Sequence, residues 1–207
     1  MRSLCIPCVL MCLVVNAQAE KPRPTPCQPP MLFQGKFKAV IGKNTTLIGD
    51  YFNDAYGQRF RMRLSFPNQT VALDQLTLFR EKVMYDISYE HQTCENKPVN
   101  VPFPPMAVPR DAEFVHQFVL GSSSEPGQGI LLNVWSGTDP HVTGRYEVTT
   151  TDLGCLPVGT RHYAEGTGWH TTVFYDAVYG IEDPNVFIPP SFCKTSQAET
   201  NTDKVDG

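Results

Sequence analysis

Apolar and polar residues alternate with a period of two along much of the chain, and Gly, Pro, Asn or Asp closes each alternating run. The cleanest run is 59–66. Phe60, Met62, Leu64 and Phe66 take one side, and Arg59, Arg61, Arg63 and Ser65 take the other. Successive side chains of a strand point to opposite faces, so this pattern predicts a strand with one face on a core. Residues 33–41 repeat it, with Phe33, Phe37, Ala39 and Ile41 opposing Gln34, Lys36 and Lys38. Further strands are predicted over 47–52, 71–79, 83–89, 114–120, 130–136, 145–151 and 171–181, and 158–163 reads as a strand or a short helix. Val, Thr, Tyr and Phe recur throughout, so the expected class is all-β with minor helix.

The two halves of the chain differ. The N-terminal strands are mostly one-sided, and the default for Arg59, Arg61 and Arg63, with Lys36 and Lys38, is a solvated strand face. Several C-terminal strands are apolar on both sides. Phe114, Phe118 and Leu120 lie opposite Val115 and Val119; Ile130, Leu132 and Val134 lie opposite Leu131 and Trp135. In the stretch 171–181, Val173, Tyr175, Ala177, Tyr179 and Ile181 alternate with Phe174, Asp176 and Val178. A strand with two apolar faces needs two covers. One is a second sheet. The other is a ligand cavity, another subunit, or the proline-rich connector 98–109, whose five prolines exclude both helix and central strand. Phe118, Leu132, Val134, Trp135, Phe174 and Val178 are the candidate cavity liners.

The ends and the cysteines set the compartment. Arg2, the short apolar run 4–15 and Ala17-Gln18-Ala19 have the form of a signal peptide cleaved after Ala19. The expected organisation is a signal peptide at 1–19, one β domain over 20–193, and a polar, disordered tail over 194–207. No later stretch is apolar enough for a transmembrane helix. Cys27, Cys94, Cys155 and Cys193 remain after cleavage, an even number in an oxidising compartment, which implies disulfides without choosing their pairing. Asn44-Thr45-Thr46 and Asn68-Gln69-Thr70 are glycosylation sequons, consistent with secretion. The net charge of −4 argues against a general nucleic-acid binder.

Catalytic motifs are absent from the sequence. Ser122, Ser123 and Ser124 lie in a loop without the nucleophile-elbow pattern, and no metalloprotease or phosphate-loop motif occurs. His162 and His170 flank Glu165 in a polar, Gly-rich segment that reads as an exposed loop. Among Asp139, Asp176, Glu182 and Asp183, the candidate calcium ligands are Asp176 and Asp183. Turn formation alone also explains Asp183-Pro184. The expectation is a non-enzyme that requires no cofactor.

The run Gly180-Ile181-Glu182-Asp183-Pro184-Asn185-Val186-Phe187, continued by Pro189-Pro190-Ser191 and Cys193, resembles the C-terminal signature of the ependymin-related proteins. The resemblance extends to the layout: Pro26-Cys27 before the first strand, Cys94 after the hairpin carrying Val83-Met84-Tyr85-Asp86, and Cys155-Leu156-Pro157 between later strands. It implies a secreted, or alternatively lysosomal, glycoprotein of two stacked antiparallel sheets curved around a hydrophobic cleft, similar to bacterial lipoprotein carriers. It also implies the pairs Cys27–Cys155 and Cys94–Cys193, a homodimer, a fatty acid or other lipid as ligand, and association with calcium. The rival expectation is an extracellular matrix or cell-adhesion glycoprotein that binds calcium through glycans or acidic loops. In either reading the Gly-Ile-x-Asp-Pro and Pro-Pro elements serve structure: they hold a wall and seat Cys193.

Overall fold

The computed structural model describes residues 23–42, 45–65, 73–139, 144–166 and 168–193. The segment 1–19 expected to be a signal peptide, the sequon residues Asn44 and Asn68, and the segment 194–207 lie outside the described residues. Eleven strands form among them: β1 (Leu32–Ile41), β2 (Thr45–Asp54), β3 (Arg59–Ser65), β4 (Leu73–Leu78), β5 (Val83–Ser88), β6 (Thr93–Pro98), β7 (Glu113–Gly121), β8 (Gly129–Asp139), β9 (Gly144–Thr151), β10 (Pro157–Ala164) and β11 (Gly168–Tyr179). A 3-10 helix, Pro184–Phe187, follows. The all-β expectation holds, and every pairing is antiparallel.

The expected two sheets are one. The strand order is β6-β5-β4-β3-β2-β1-β11-β10-β9-β8-β7, so β1–β6 and β7–β11 are two meanders fused at the β1–β11 seam. β1 contains no proline and carries a full ladder on each edge, with β2 on one side and β11 on the other. A strand that hydrogen-bonds on both edges joins what would otherwise be two layers.

The registers define two faces. One carries Phe37, Ala39, Leu47, Tyr51, Met62 and Leu64 from β1–β3, then Phe174, Thr172 and His170 from β11, Thr160 and His162 from β10, and Tyr146, Val148 and Trp135 from β9 and β8. The proline-rich connector crosses this face as a strap. Val99 N–H donates to Lys82 O at 2.9 Å, and Val108 N–H donates to Cys27 O at 3.1 Å. Val108 is buried with Trp135 and Cys155, and Met106 packs on the cluster of Phe33, Phe37, Ala39, Tyr51 and Leu64. The connector is therefore one of the expected covers. The C-terminal segment crosses the opposite, back face. There Val186, Phe187 and Cys193 are buried against Leu76, Leu78, Ile87 and Cys94.

Each face has its own disulfide, Cys27–Cys155 on the strap side and Cys94–Cys193 on the back. These are the pairs the resemblance implied. With sequence separations of 128 and 99, each constrains the unfolded chain by roughly 4–5 kcal/mol in the loop-entropy account.

Three readings from the pattern are corrected. The Arg59, Arg61 and Arg63 face is only partly solvated, with Arg59 and Arg63 half-buried and Arg61 buried. Arg61 is 2% exposed, because the C-terminal segment lies over it. It donates to both carboxylate oxygens of Asp74, at 2.7 and 2.6 Å, and also to the Val186 carbonyl. Arg59 stacks on Phe187, 4.5 Å from the ring centroid, and Arg63 on Phe52 at 5.2 Å. Secondly, β6 is an additional strand. Cys94, Asn96 and Pro98 carry too little apolar character to reveal it, and its pairing with β5 decides. Thirdly, the alternation in β11 breaks. Asp176 has a φ of 52°, and two β11 residues, Asp176 and Ala177, stand opposite the single Gly35 of β1. Val173, Tyr175 and Val178 consequently fall on the back face, and Phe174 and Tyr179 on the strap face. The open choice at 158–163 resolves as strand β10.

Candidate functional site

Alternation puts the aromatic and aliphatic side chains of β1, β2, β3 and β11 together on the strap face, and the strap does not fill the space above them. A cavity of about 360 Å³ remains, lined by Phe37, Leu47, Phe60, Met62, Leu64 and Phe174 on the sheet and by Pro104, Pro105 and Met106 from the strap. Two neighbouring cavities share Pro105 and Met106. One, of about 510 Å³, lies over β9 and β10 and is lined by Tyr146, Val148, Pro157, Thr160 and Asp111. The other, of about 380 Å³, sits between the leader (Gln28 to Met31), Asn53, Phe79 and Phe103. Volumes of this size fall in the range of small-molecule sites, roughly 300–1,000 Å³. Proline is suited to the strap: with φ fixed and N–H groups removed, the segment spans a cavity while leaving few backbone donors unsatisfied.

The cavity floor is aromatic and closely packed. Tyr51 is fully buried, its ring edge-on to Phe33 at 5.8 Å and to Phe174 at 5.3 Å. Its hydroxyl has no hydrogen-bond partner among the described residues, and burial pushes its pKa up to about 12. Gly35 permits this packing, because a Cβ there would stand 2.8 Å from the Tyr51 hydroxyl oxygen.

His162 and His170 are directly opposite each other on β10 and β11, with ring centroids 4.7 Å apart, and both line the 360 Å³ cavity. The loop expected for this segment is a hairpin, and the histidines face the cleft rather than Glu165.

Of the six candidate liners from the sequence, Phe174 lines the cavity. Trp135 is on the same face but is sealed under Val108 and the Cys27–Cys155 bridge. Phe118, Leu132 and Val134 fall on the back face, with Leu132 and Val134 buried and Phe118 exposed. Val178 also lies on the back face, exposed. The liners that β1–β3 supply look like ordinary one-sided core in sequence. The signal that could have found them is the pairing of three apolar half-strands with a connector too proline-rich to pack closely.

The residues suggested for calcium have other partners. Asp176 pairs with Lys36 at 3.4 Å on the surface. Asp183 caps the 3-10 helix, accepting from Asn185 N–H at 3.0 Å. Among the described residues, no group of three or more His, Cys, Asp or Glu could hold a metal ion. Among the described residues, Asp176 and Asp183 are therefore not brought together in a donor set for calcium.

These features define a class: an all-β protein with one long antiparallel sheet, a proline strap over an apolar cleft, and a disulfide on each face. The ependymin family model matches residues 67–193, and the chain belongs to the ependymin family. It is 30% identical over 194 residues to Ependymin-2 of Carassius auratus, covering 92% of this chain and 88% of that protein. It is 29% identical over 186 residues to mammalian ependymin-related protein 1 of Rattus norvegicus, covering 85% and 80%. Among solved structures, an uncharacterized conserved protein from Thermus thermophilus aligns over 78% of this chain and 86% of its own at 10% identity, with a TM-score of 0.49. A LolA superfamily protein from Nitrosomonas europaea aligns over 80% and 93% at 8% identity, with a TM-score of 0.39.

Proposed function

We propose that the protein is a secreted, non-catalytic binder of a hydrophobic small molecule, a fatty acid or other lipid, held in the cleft between sheet and strap. The observation that carries this reading is the 360 Å³ cavity, whose sheet side is built from Phe37, Leu47, Phe60, Met62, Leu64 and Phe174. An apolar ligand there would cover side chains that the strap leaves open. Each buried methylene contributes about 0.8 kcal/mol, so a single acyl chain supplies enough free energy for micromolar binding after the costs of association. The two disulfides support an oxidising, extracytoplasmic compartment.

The partner we propose is a second copy of the chain on the back face of the C-terminal meander. Phe118, Leu120, Ile130 and Val173 are exposed there, and no described segment covers them as the C-terminal segment covers β3–β6. Sedimentation of wild type and Phe118→Asp checks this: a dimer that becomes a monomer supports it, and a wild-type monomer at micromolar concentration removes it.

Ligand binding is tested with the purified protein and the environment-sensitive dye Nile red. Saturable fluorescence, displaced by palmitate or its neutral analogues, is expected. Thr172→Trp, which fills the cavity from β11, should abolish it without lowering Tm. Equal dye binding by wild type and variant would place the ligand elsewhere.

A further inference from the structure

The lysines and arginines of β1, β3, β9 and β10 share one face, while Lys97 of β6 falls on the strap side, paired with Asp86 and outside the three cavities. Lys36, Lys38, Arg59, Arg61, Arg63, Arg145 and Arg161 all fall on the back face by register. Among the described residues lining the three cavities under the strap, none is Lys or Arg. The acidic side chain among them is Asp111, which is exposed at the edge of the 510 Å³ cavity. That cavity also presents the hydroxyls of Tyr146 and Thr160. The arginine nearest in sequence to Thr160 is turned away: Arg161 stacks on Trp169, 4.6 Å from its ring centroid, and stands opposite Glu147 in the ladder.

An ionised carboxylate or phosphate entering such a cleft would give up its water without meeting a lysine or arginine. A desolvated anion without a partner is among the most costly groups to bury. A hydroxyl or an amide has only ordinary hydrogen bonds to satisfy, and a protonated amine gains from Asp111. The two ends of the cleft also differ in chemistry. The cavity over β1–β3 and β11 is walled mainly by Phe, Leu and Met side chains, with Tyr51, Thr172 and the two histidines also on its lining; the cavity over β9 and β10 sets Tyr146, Thr160 and Asp111 among apolar Val148, Pro157 and Met106. Met106 and Pro105 form the waist between them.

We infer that the cleft selects neutral or cationic amphiphiles over anionic ones. The apolar tail lies over β1–β3, and a hydroxyl, amide or amine head lies beyond Met106, beside Tyr146, Thr160 and Asp111. This inference rests on the proposed lipid-binding function and narrows it to a head-group class.

The experiment is a competition against Nile red at pH 8. It uses three ligands with the same tail: palmitic acid, cetyl alcohol and palmitylamine, each below its aggregation concentration. The alcohol and the amine should displace the dye at concentrations at least tenfold lower than the acid. Equal or better displacement by the acid overturns the inference while leaving the binding function intact. Failure of the dye itself to bind sinks the binding function instead. A second variant locates the head. Thr160→Lys puts a cation in the head cavity and should improve the acid relative to the alcohol at least tenfold. An acid that gains nothing relative to the alcohol in this variant, with Tm unchanged, shows that the head does not lie beside Thr160 and contradicts the placement.

Discussion

Replacing Asp74 with Leu is the most direct probe of how the C-terminal segment is held. Asp74 is fully buried on β4, and both of its carboxylate oxygens accept from Arg61, at 2.7 and 2.6 Å. Arg61 is 2% exposed. Burial alone would lower its pKa, but the hydrogen bond and charge of Asp74, followed by Tyr89, carry it above the usual guanidinium range. The same guanidinium donates to Tyr89 Oη at 3.0 Å and to the Val186 carbonyl, so it links β3, β4 and the segment that ends in Cys193. Truncating one partner of a buried pair leaves an uncompensated charge and typically costs about 3–5 kcal/mol. For a domain of this size that lowers Tm by roughly 6–20 °C. The Arg61→Met/Asp74→Leu double variant replaces both charges with packable side chains and should recover most of the loss. Urea denaturation of wild type, both single variants and the double variant gives the coupling directly. A loss of less than about 1 kcal/mol for Asp74→Leu, or additivity in the cycle, would refute the claim that this pair is desolvated and mutually dependent.

Other outcomes follow from the same geometry. Tyr51→Phe removes a buried hydroxyl without a partner and should raise stability by about 1 kcal/mol, read from urea midpoints. Because burial lifts the Tyr51 pKa from 10.0 to about 12, the contribution of the neutral Tyr51 to stability is complete below pH 10 and is lost as pH rises from 10 towards 12. The drop is up to roughly 3 kcal/mol, and Tyr51→Phe should lack this part of the alkaline loss. Cys193→Ser should lower Tm and release the segment over β3–β6, seen as faster amide exchange at Arg61 and Leu76; an unchanged Tm would separate the Pro-Pro-Ser-x-Cys ending from stability. Gly35→Leu should destabilise by about 2–3 kcal/mol, since its side chain must displace the Tyr51 ring that packs on Gly35.

The strands and the disulfide-bearing layout were readable in the sequence because both rest on local signals: period-two alternation, turn residues, and a C-terminal run long enough to resemble a family. What stayed hidden is non-local. Arg61 looks like any solvated strand arginine until a segment more than a hundred residues later is laid over it. The bulge at Asp176 is a backbone event of one extra residue, and it moves Val178 to the back face although the alternation in letters continues. Phe37 and Met62 gave no sign of lining a cavity, because the same pattern serves a filled core equally well; the unfilled volume comes from the strap's inability to pack down. Two sheets were expected from two meanders, and the β1–β11 ladder that fuses them depends on residues over a hundred positions apart.

The central claim is that the space under the strap binds an apolar ligand. Titration of Nile red into wild type and Thr172→Trp at matched concentration, with displacement by cetyl alcohol, tests it most directly. The account predicts one saturable, displaceable site in the wild type and none in the variant at equal Tm. Identical binding curves for the two proteins, or no saturable binding in either, would contradict it.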